Sequence, residues 1–249
     1  MVSLFSASLD AAEKTGFTKR QINTAERYGP SVRYDIGEGF FPPEWLEAPI
    51  SARADPIPEN EITRTLSLIT EALRLYPDTI VKKHLRAIHL CGGLTFYGLN
   101  FGATSTDDCI YLCNAGTVNG YTDRYILRAF HHEFAHILYA RYEFPAEEWG
   151  ACNPPGFSYT GGDDGGVQAI RRGADSLAGN DRLYRMGFLA EYATSSPEED
   201  FCVYSEMILG ADEEFARIMN RHNAVKKKYA IWRRYYLSID PAFTPPGGR

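Results

Sequence analysis

The sequence predicts an α+β fold in which a small mixed sheet lies over one long helix and a helical lobe follows toward the C-terminus. Short apolar runs bounded by turn residues lie at about 85–115, and helical spacing dominates beyond about residue 121. The chain has 249 residues, 44% hydrophobic and 23% charged, which is enough apolar material for one large core. We therefore predict a single domain over residues 1–249, with an extended and sheet-forming part at about 1–120 and a helical part at about 121–237.

The composition argues against several classes of protein. Lys and Arg number 26 against 32 Asp and Glu, so the net charge of -6 provides no basic field for nucleic acid. The five cysteines include no C-x-x-C pair, which favours buried free thiols over a disulfide scaffold or a thiolate zinc site. No apolar run is long enough for a membrane span. The sequence predicts no particular oligomeric state.

The start of the chain bears on its location. Residues 1–16 lack the basic and apolar regions of an export signal. As written, the chain is therefore expected in the cytoplasm. A secreted or cell-envelope location stays open if an export signal was trimmed before Met1.

The first half of the chain predicts the sheet and one helix that covers it. Residues 28–58 contain six prolines among aromatic residues and glycines, which is typical of extended segments and turns. An apolar stripe at helical spacing predicts a helix over about 60–73, ending before Pro77. The runs Ala87–Cys91 and Cys109–Cys113 are predicted strands, with a loop or hairpin between them.

The second half predicts helices. A long helix starts at Thr122 or Asp123 and frays near Phe144, and a glycine- and aspartate-rich loop follows at 150–166. Helical spacing resumes at about 183–193. A further helix runs from Ser196 and Pro197 to Leu209, and the last one runs from Asp212 to about Tyr236, before a tail rich in proline and glycine.

The long helix carries the motif H-E-x-x-H, formed by His132, Glu133 and His136. Side chains at positions i and i+4 lie on one helix face, so both imidazoles can reach one Zn²⁺ ion. Glu133 would then act as the general base that takes a proton from the attacking water. The alternative is a pair of helix histidines satisfied by ordinary hydrogen bonds.

A catalytic zinc site needs a third protein ligand and one open position. The histidine extension used by metzincins is absent, because tyrosines occupy its positions at 139 and 142. A glutamate from a later helix is the other common solution, and Glu199 is the predicted ligand. The other acidic residues nearby stay open as replacements: Glu198, Asp200, Glu191 and Glu206.

Two of these assignments have structural alternatives. Ser196, Pro197 and Glu199 also spell a capping box, in which Glu199 would only satisfy backbone groups at the start of its helix. Tyr192, just before this helix, can supply a hydrogen-bond donor to the oxyanion of a tetrahedral intermediate. It can equally be a buried structural tyrosine.

The remaining histidines are expected outside the metal site. His131 points about 100° away from the motif on the helical wheel, so we expect it at the surface or beside a ligand. His84 and His89 flank a predicted strand and are expected to be structural. His222 lies on the apolar stripe of the last helix and is expected to be a hydrogen-bonded core residue.

The motif H-E-F-A-H, followed downstream by Tyr192 and by Glu199 within E-E-D-F, resembles a known arrangement. It is similar to the gluzincin catalytic domain of anthrax lethal factor and to zinc metallopeptidases of bacterial envelopes that carry E-D-F-A-E. The resemblance covers about residues 60–210 and implies a zincin-like fold. It also implies Zn²⁺ bound by His132, His136 and Glu199, catalysis by Glu133, and Tyr192 as a transition-state donor. The second acidic residue of the family's motif is Val203 here, so this position supplies no carboxylate to orient a ligand histidine.

Together these features predict zinc-dependent hydrolysis of a peptide or protein substrate. The substrate is expected to lie beside an edge strand, for which residues 110–112 are the candidate. One alternative is a noncatalytic protein that keeps the zincin fold to bind a peptide or glycan. Another is a zinc hydrolase that acts on glycopeptides.

Overall fold

A computed structural model of the chain describes residues 27–161, 165–173, 176–210 and 213–245. Residues 162–164 of the predicted glycine-rich loop, the predicted helix start at Asp212 and the tail from residue 246 lie outside these ranges. The 16 residues searched for an export signal also lie outside them.

The described residues form seven strands and ten α-helices. The strands are β1 (Ser31–Arg33), β2 (Arg53–Asp55), β3 (Ala87–Cys91), β4 (Gly93–Phe96), β5 (Leu99–Phe101), β6 (Ala103–Ser105) and β7 (Cys109–Cys113). The helices are α1 (Pro43–Leu46), α2 (Glu59–Leu73), α3 (Asp78–His84), α4 (Asp123–Arg141), α5 (Ala146–Gly150), α6 (Gly165–Arg171), α7 (Asp181–Met186), α8 (Pro197–Leu209), α9 (Glu213–Arg221) and α10 (Asn223–Ile239). Two short 3₁₀ turns lie at Thr117–Asn119 and Tyr192–Thr194.

The strands form two small sheets. In the larger sheet the order is β1-β3-β7-β6, with β1, β3 and β7 parallel and β6 antiparallel at the edge. The smaller sheet has the order β2-β4-β5 and is antiparallel. Helix α4 packs against β6 and β7, and α8 packs against α4. The predicted α+β class is confirmed, and the arrangement is compatible with a zincin-like fold.

Each face of the larger sheet is covered by apolar side chains. Ile88, Leu90, Ile110 and Leu112 face the main core, which they share with α2, α4 and α8. The opposite face belongs to a second cluster, in which Tyr111 packs against Phe40, Phe41 and Trp45 from the proline-rich segment. Strands buried on both faces read as continuous apolar runs, which is why β3 and β7 were predictable to the residue.

Several predicted boundaries are wrong. The segment between β3 and β7 was predicted as a loop or hairpin; it contains the hairpin of β4 and β5, and also β6, which pairs with β7. β7 therefore lies inside the sheet, and the prediction of residues 110–112 as an edge strand is wrong. The last predicted helix is two helices, because His222 adopts an extended backbone between α9 and α10. The helix predicted at 183–193 ends at Met186, where Gly187 takes the left-handed conformation with φ 90°.

The prediction of free thiols is confirmed for the described residues. All five cysteines are free thiols, and four of them are buried. No described helix has both the length and the apolar character needed to cross a membrane.

Candidate metal centre

Helix α4 presents the H-E-x-x-H motif to a cleft. Its N-cap is Thr122, whose hydroxyl accepts a hydrogen bond from the Tyr125 backbone N–H at 3.2 Å. Phe130, Phe134 and Leu138 on this helix are fully buried in the main core. The helical period therefore turns His132, Glu133 and His136 toward β6 and α8.

Helix α8 brings Glu199 to both histidines. The Oε2 atom of Glu199 lies 3.1 Å from Nε2 of His132 and 3.4 Å from Nε2 of His136. Zinc–nitrogen and zinc–oxygen bonds of about 2.0–2.2 Å in a tetrahedral site place neighbouring donor atoms about 3.3–3.5 Å apart. The distances from Glu199 to the two imidazole nitrogens therefore suit one zinc ion.

Glu199 combines the two roles that the sequence left as alternatives. Its backbone N–H donates to the Ser196 hydroxyl at 3.0 Å, so Ser196 is the N-cap of α8. Its carboxylate, however, is directed at the two imidazoles and at Tyr192, whose hydroxyl donates to Oε1 at 2.8 Å. The side chain is 9% exposed, so its charge is held by these partners rather than by water.

The far side of each imidazole ring also meets a carboxylate. Nδ1 of His132 lies 3.0 Å from Oε2 of Glu206, and Nδ1 of His136 lies 2.7 Å from Oε1 of Glu198. Histidines that bind metal through one nitrogen usually donate the other N–H to such an acceptor, which sets the tautomer and the ring orientation. Both rings are therefore arranged to direct Nε2 at Glu199.

Glu206 supplies a carboxylate that the resembled motif would have at position 203, where this chain has valine. Val203 is fully buried in the core and contributes no carboxylate, whereas Glu206 lies three residues further along α8. The guanidinium of Arg128 on α4 donates to Oε1 of Glu206 from Nε at 3.1 Å and from Nη2 at 2.5 Å. Sequence reasoning named Glu206 only as a replacement ligand. Its position seven residues after Glu199, on the same helix face, was the available indication.

The charges in this cluster stabilise one another. Burial alone would lower the pKa of His132, but contacts with Glu199 and Glu206 outweigh burial and raise that pKa to about 9. Burial would raise the pKa of Glu199, yet the two histidines hold it well below its usual range. Without metal the imidazoles are held as cations beside carboxylates, so a metal ion must displace protons to bind.

Glu133 lies beside the edge strand of the sheet. Its Oε2 atom accepts a hydrogen bond from the Ser105 hydroxyl, at the end of β6, at 2.9 Å. Burial raises the pKa of Glu133, although His136, His132 and Ser105 partly oppose this shift. A carboxylate with a raised pKa is a better proton acceptor. Ser105 carried no motif and was not predicted.

Tyr192 lies against the same site. It belongs to the 3₁₀ turn before α8, and burial raises the pKa of its hydroxyl well above the usual value. Gly166 of α6 approaches closely: a Cβ atom there would lie 2.3 Å from Oε1 of Glu199 and 2.5 Å from Oη of Tyr192. A side chain at this position would therefore displace the Glu199 carboxylate or the Tyr192 hydroxyl.

Cys202 is a second candidate for the third ligand. Its thiol and the ring nitrogens of His132 and His136 offer ligand atoms within 4.8 Å of one another. Burial raises the pKa of the Cys202 thiol to about 12, although His136 opposes the shift. The sequence predicted a buried free thiol here and did not place it beside the histidines.

The other candidate residues lie away from the ligand cluster. Oδ2 of Asp200 accepts hydrogen bonds from Trp149, Tyr159 and Lys228, which direct it into the helical lobe. Glu191 is exposed.

The remaining histidines are held by other groups. The expectation for His131 is wrong: it is buried in the core, with Nδ1 2.9 Å from the hydroxyl of Tyr76, because its helix face packs inward. Nε2 of His84 lies 2.7 Å from the Tyr142 hydroxyl, and His89 stacks on Tyr111 with ring centroids 4.5 Å apart. Nε2 of His222 lies 3.5 Å from Oδ1 of Asp181.

Two cavities meet at the site and form a cleft along β6. We call the first, of about 420 Å³, the apolar cavity; it is bordered by Tyr125, Ala129, Ile170 and Leu177. We call the second, of about 520 Å³, the polar cavity; it is bordered by Thr104, Thr106, Asp107, Ser196 and Glu198. Both are lined by His132, Glu133 and Tyr192. A chain lying along β6 would therefore pass directly over these three residues.

Comparison with protein families agrees with this geometry. The model of a family described as "Putative zinc-binding metallo-peptidase" matches residues 93–238, which is more than half of the chain. The chain belongs to this family. The match includes the H-E-x-x-H helix and Glu199, and it supports a zinc-dependent peptidase with peptide substrates. No curated protein and no solved structure gives a significant match. The narrower resemblance to anthrax lethal factor stays a prediction.

Proposed function

We propose that the chain is a zinc-dependent peptidase in which His132, His136 and Glu199 hold the metal. Glu133 is the general base, and Tyr192 donates a hydrogen bond to the oxyanion that develops during attack. The observation that carries this proposal is the convergence of both Nε2 atoms on one carboxylate oxygen of Glu199, with Glu133 beside them in the cleft.

The donor set suits zinc. Two imidazoles and one carboxylate are a common ligand set of catalytic zinc, and the carboxylates at Nδ1 of both rings complete the usual surroundings. A zinc ion bound there would polarise a carbonyl and make a water more acidic. Glu199 is favoured over Cys202 because its Oε2 lies within 3.4 Å of both Nε2 atoms and is held as a carboxylate by the two histidines, whereas burial raises the pKa of the Cys202 thiol to about 12 and so opposes the thiolate that would bind zinc.

The chain's own groups divide the proton transfers between them. Glu133 takes a proton from the attacking water and returns it to the leaving amine, and Ser105 holds its carboxylate at the edge of β6. The raised pKa keeps the Tyr192 hydroxyl protonated at neutral pH, and this O–H, which donates to Glu199 in the structure, would turn to the oxyanion during the reaction. A peptide would add to β6 as an extra strand, which satisfies its backbone groups.

The structure weakens the argument for a noncatalytic binding protein. That alternative rested partly on the missing carboxylate at Val203, and Glu206 now supplies a carboxylate to His132. It also rested on the aromatic N-terminal segment, whose Phe40 and Phe41 are buried against the outer face of the sheet. Neither feature now distinguishes a binding protein from an enzyme.

Metal content and turnover test the proposal together. Purified wild type should contain about one zinc per chain, and Glu199→Ala and His136→Ala should lose it. Cys202→Ser is the matched variant and should retain zinc; the reverse pattern would assign the third ligand to Cys202. Glu133→Gln should keep zinc but cleave a mixed peptide library at least about 100-fold more slowly. A zinc-loaded wild type that cleaves neither peptides nor glycopeptides would contradict the peptidase assignment and favour a binding protein.

A further inference from the structure

A third cavity, which we call the outer cavity, lies on the outer face of the larger sheet. It has a volume of about 920 Å³, within the range of pockets that bind small ligands. The in-register row of Arg33, His89 and Tyr111 crosses this face from β1 to β7. The proline-rich segment and the turn between β6 and β7 complete its border. The proposed reaction uses none of these side chains.

Aromatic rings form the apolar part of the outer cavity. Tyr111 stacks on His89 with ring centroids 4.5 Å apart and on Phe41 at 5.4 Å. Trp45 of α1 packs against Tyr111 at 5.4 Å and is half-buried, so part of its indole stays accessible at the cavity. A ligand with an apolar face can therefore pack against this indole.

Charged groups of both signs border the same cavity. The Arg86 guanidinium donates to both oxygens of Asp108, at 2.9 and 3.1 Å, and Nη2 of Arg141 lies 3.8 Å from Oδ2 of Asp107. Among the described residues that border the cavity, guanidiniums and carboxylates number three each: Arg33, Arg86, Arg141, Glu44, Asp107 and Asp108. The lining is thus balanced in charge and rich in both donors and acceptors.

His89 adds a neutral polar group to this lining. Burial and the charges of Arg33 and Arg86 lower its pKa to about 4, so the imidazole is uncharged at neutral pH. Its Nδ1 is buried and has no hydrogen-bond partner among the described residues. An unpaired buried nitrogen costs free energy, so a hydroxyl that reached it from the cavity would be stabilised.

This combination favours a neutral ligand that is rich in hydroxyl groups. An anion would meet three carboxylates and a cation three guanidiniums, while a wholly apolar ligand would desolvate all six charges. A hydroxyl both donates and accepts hydrogen bonds, so it can pair with either kind of group. A sugar ring combines such hydroxyls with an apolar C–H face that can pack on an aromatic ring.

The outer cavity is continuous with the cleft at the metal centre. Ser105, Thr106 and Asp107 line both the outer cavity and the polar cavity. A group attached to a polypeptide in the cleft can therefore reach the outer cavity around the end of β6. We propose that the outer cavity binds the glycan of a glycosylated polypeptide substrate. This inference rests on the proposed function and names its substrate class.

Glycan binding measured without turnover tests the site. Labelled wild-type protein on an array of neutral and acidic glycans should bind a set of neutral ones. Trp149 and Trp232 are fully buried, so a bound glycan should change mainly the fluorescence of Trp45. That change should be lost in Trp45→Phe. Binding to no neutral glycan, or to acidic glycans alone, would overturn the inference.

Two variants examine different parts of the cavity. Trp45→Ala removes the accessible indole, and Arg86→Gln removes a guanidinium that is 67% exposed and outside the core. Each should weaken glycan binding at least about 10-fold. Leu46→Ala, at an exposed neighbour on the same short helix, is the matched control and should bind as wild type does. Unchanged binding in both cavity variants would place the glycan elsewhere and overturn the inference.

Cleavage then separates this inference from the proposed function. With zinc-loaded wild type, a peptide that carries the best-bound glycan beside the cleaved bond should have a kcat/KM at least about 10-fold above that of the bare peptide. Trp45→Ala should remove this advantage and leave cleavage of the bare peptide unchanged. If wild type binds the glycan but cleaves neither peptide, the peptidase assignment fails and the glycan site stands. Equal cleavage of both peptides would confirm the peptidase and overturn the glycan's role in its substrate.

Discussion

At the scale of single residues, Glu206 links helix α8 to helix α4. One oxygen contacts Nδ1 of His132 and the other accepts two hydrogen bonds from Arg128. The residue is 2% exposed, so its charge depends on these two partners. It contacts this histidine from a position three residues beyond Val203, the place where the resembled motif has its second acidic residue.

Replacing Glu206 by its neutral isostere should weaken metal binding without removing a ligand. Glu206→Gln keeps the shape but weakens the acceptor at His132 Nδ1, so we expect zinc affinity to fall about 10- to 100-fold. Competition with a chromophoric chelator measures this. Glu148→Gln, at an exposed partner of Arg234, is the control and should bind zinc as wild type does. Wild-type affinity in a folded Glu206→Gln variant would show that this contact does not orient His132.

At the scale of elements, the first turn of α8 performs two separate tasks. Ser196 caps the helix through the backbone N–H of Glu199, while the Glu199 carboxylate reaches α4. Pro197 occupies the first helical position, where its lack of an N–H costs nothing. The capping pattern therefore predicted the N-cap hydrogen bond correctly. It did not predict that the Glu199 side chain contacts the histidines of α4.

These two tasks should separate experimentally. Ser196→Ala should lower the free energy of unfolding of the metal-free protein by about 1 kcal/mol, because one backbone donor of α8 loses its acceptor. Urea unfolding measures this loss, and Ser196→Gly should lose only a few tenths of that amount. Zinc content should stay at about one per chain in both variants. Loss of zinc in Ser196→Ala would show that the cap itself positions the ligand.

At the scale of the whole molecule, a buried ion pair joins helix α10 to helix α8. Lys228 of α10 is fully buried and its Nζ lies 2.5 Å from Oδ2 of Asp200, the residue after Glu199. Trp149 and Tyr159 donate to the same oxygen, and the ammonium lies 4.1 Å from the ring centroid of Phe188. Burial raises the pKa of Asp200 and lowers that of Lys228, so the pair opposes a substantial desolvation cost.

Removing one member of this pair should be more damaging than removing both. Lys228→Met leaves Asp200 buried without its cation and should lower the free energy of unfolding by about 3–5 kcal/mol. The double variant Lys228→Met/Asp200→Asn has no uncompensated charge and should recover part of that loss. Guanidinium denaturation of the metal-free variants gives both values. A loss below about 1 kcal/mol in Lys228→Met would show that Asp200 is compensated without the lysine.

Much of the fold was predictable because its causes are local. The apolar runs of β3 and β7, the stripe of α2 and the caps of α4 and α8 are short-range patterns, and the structure shows all of these elements. Between β3 and β7 the sequence allowed a hairpin, which β4 and β5 form, but it did not indicate β6. These strands have only three or four residues each, and their formation depends on their pairing partners. The break at His222 was hidden because the apolar spacing continues through it.

The sequence by itself determined the helix that carries His132, Glu133 and His136, and the residue types able to hold zinc. Only the tertiary structure decided that the Glu199 carboxylate meets the imidazoles, that Glu206 contacts His132, and that β6 is the strand beside the cleft. The contacts of His132 with Glu199 and Glu206 span 67 and 74 residues of chain. Local patterns specify single elements, whereas such contacts depend on how α4, α8 and the sheet pack together.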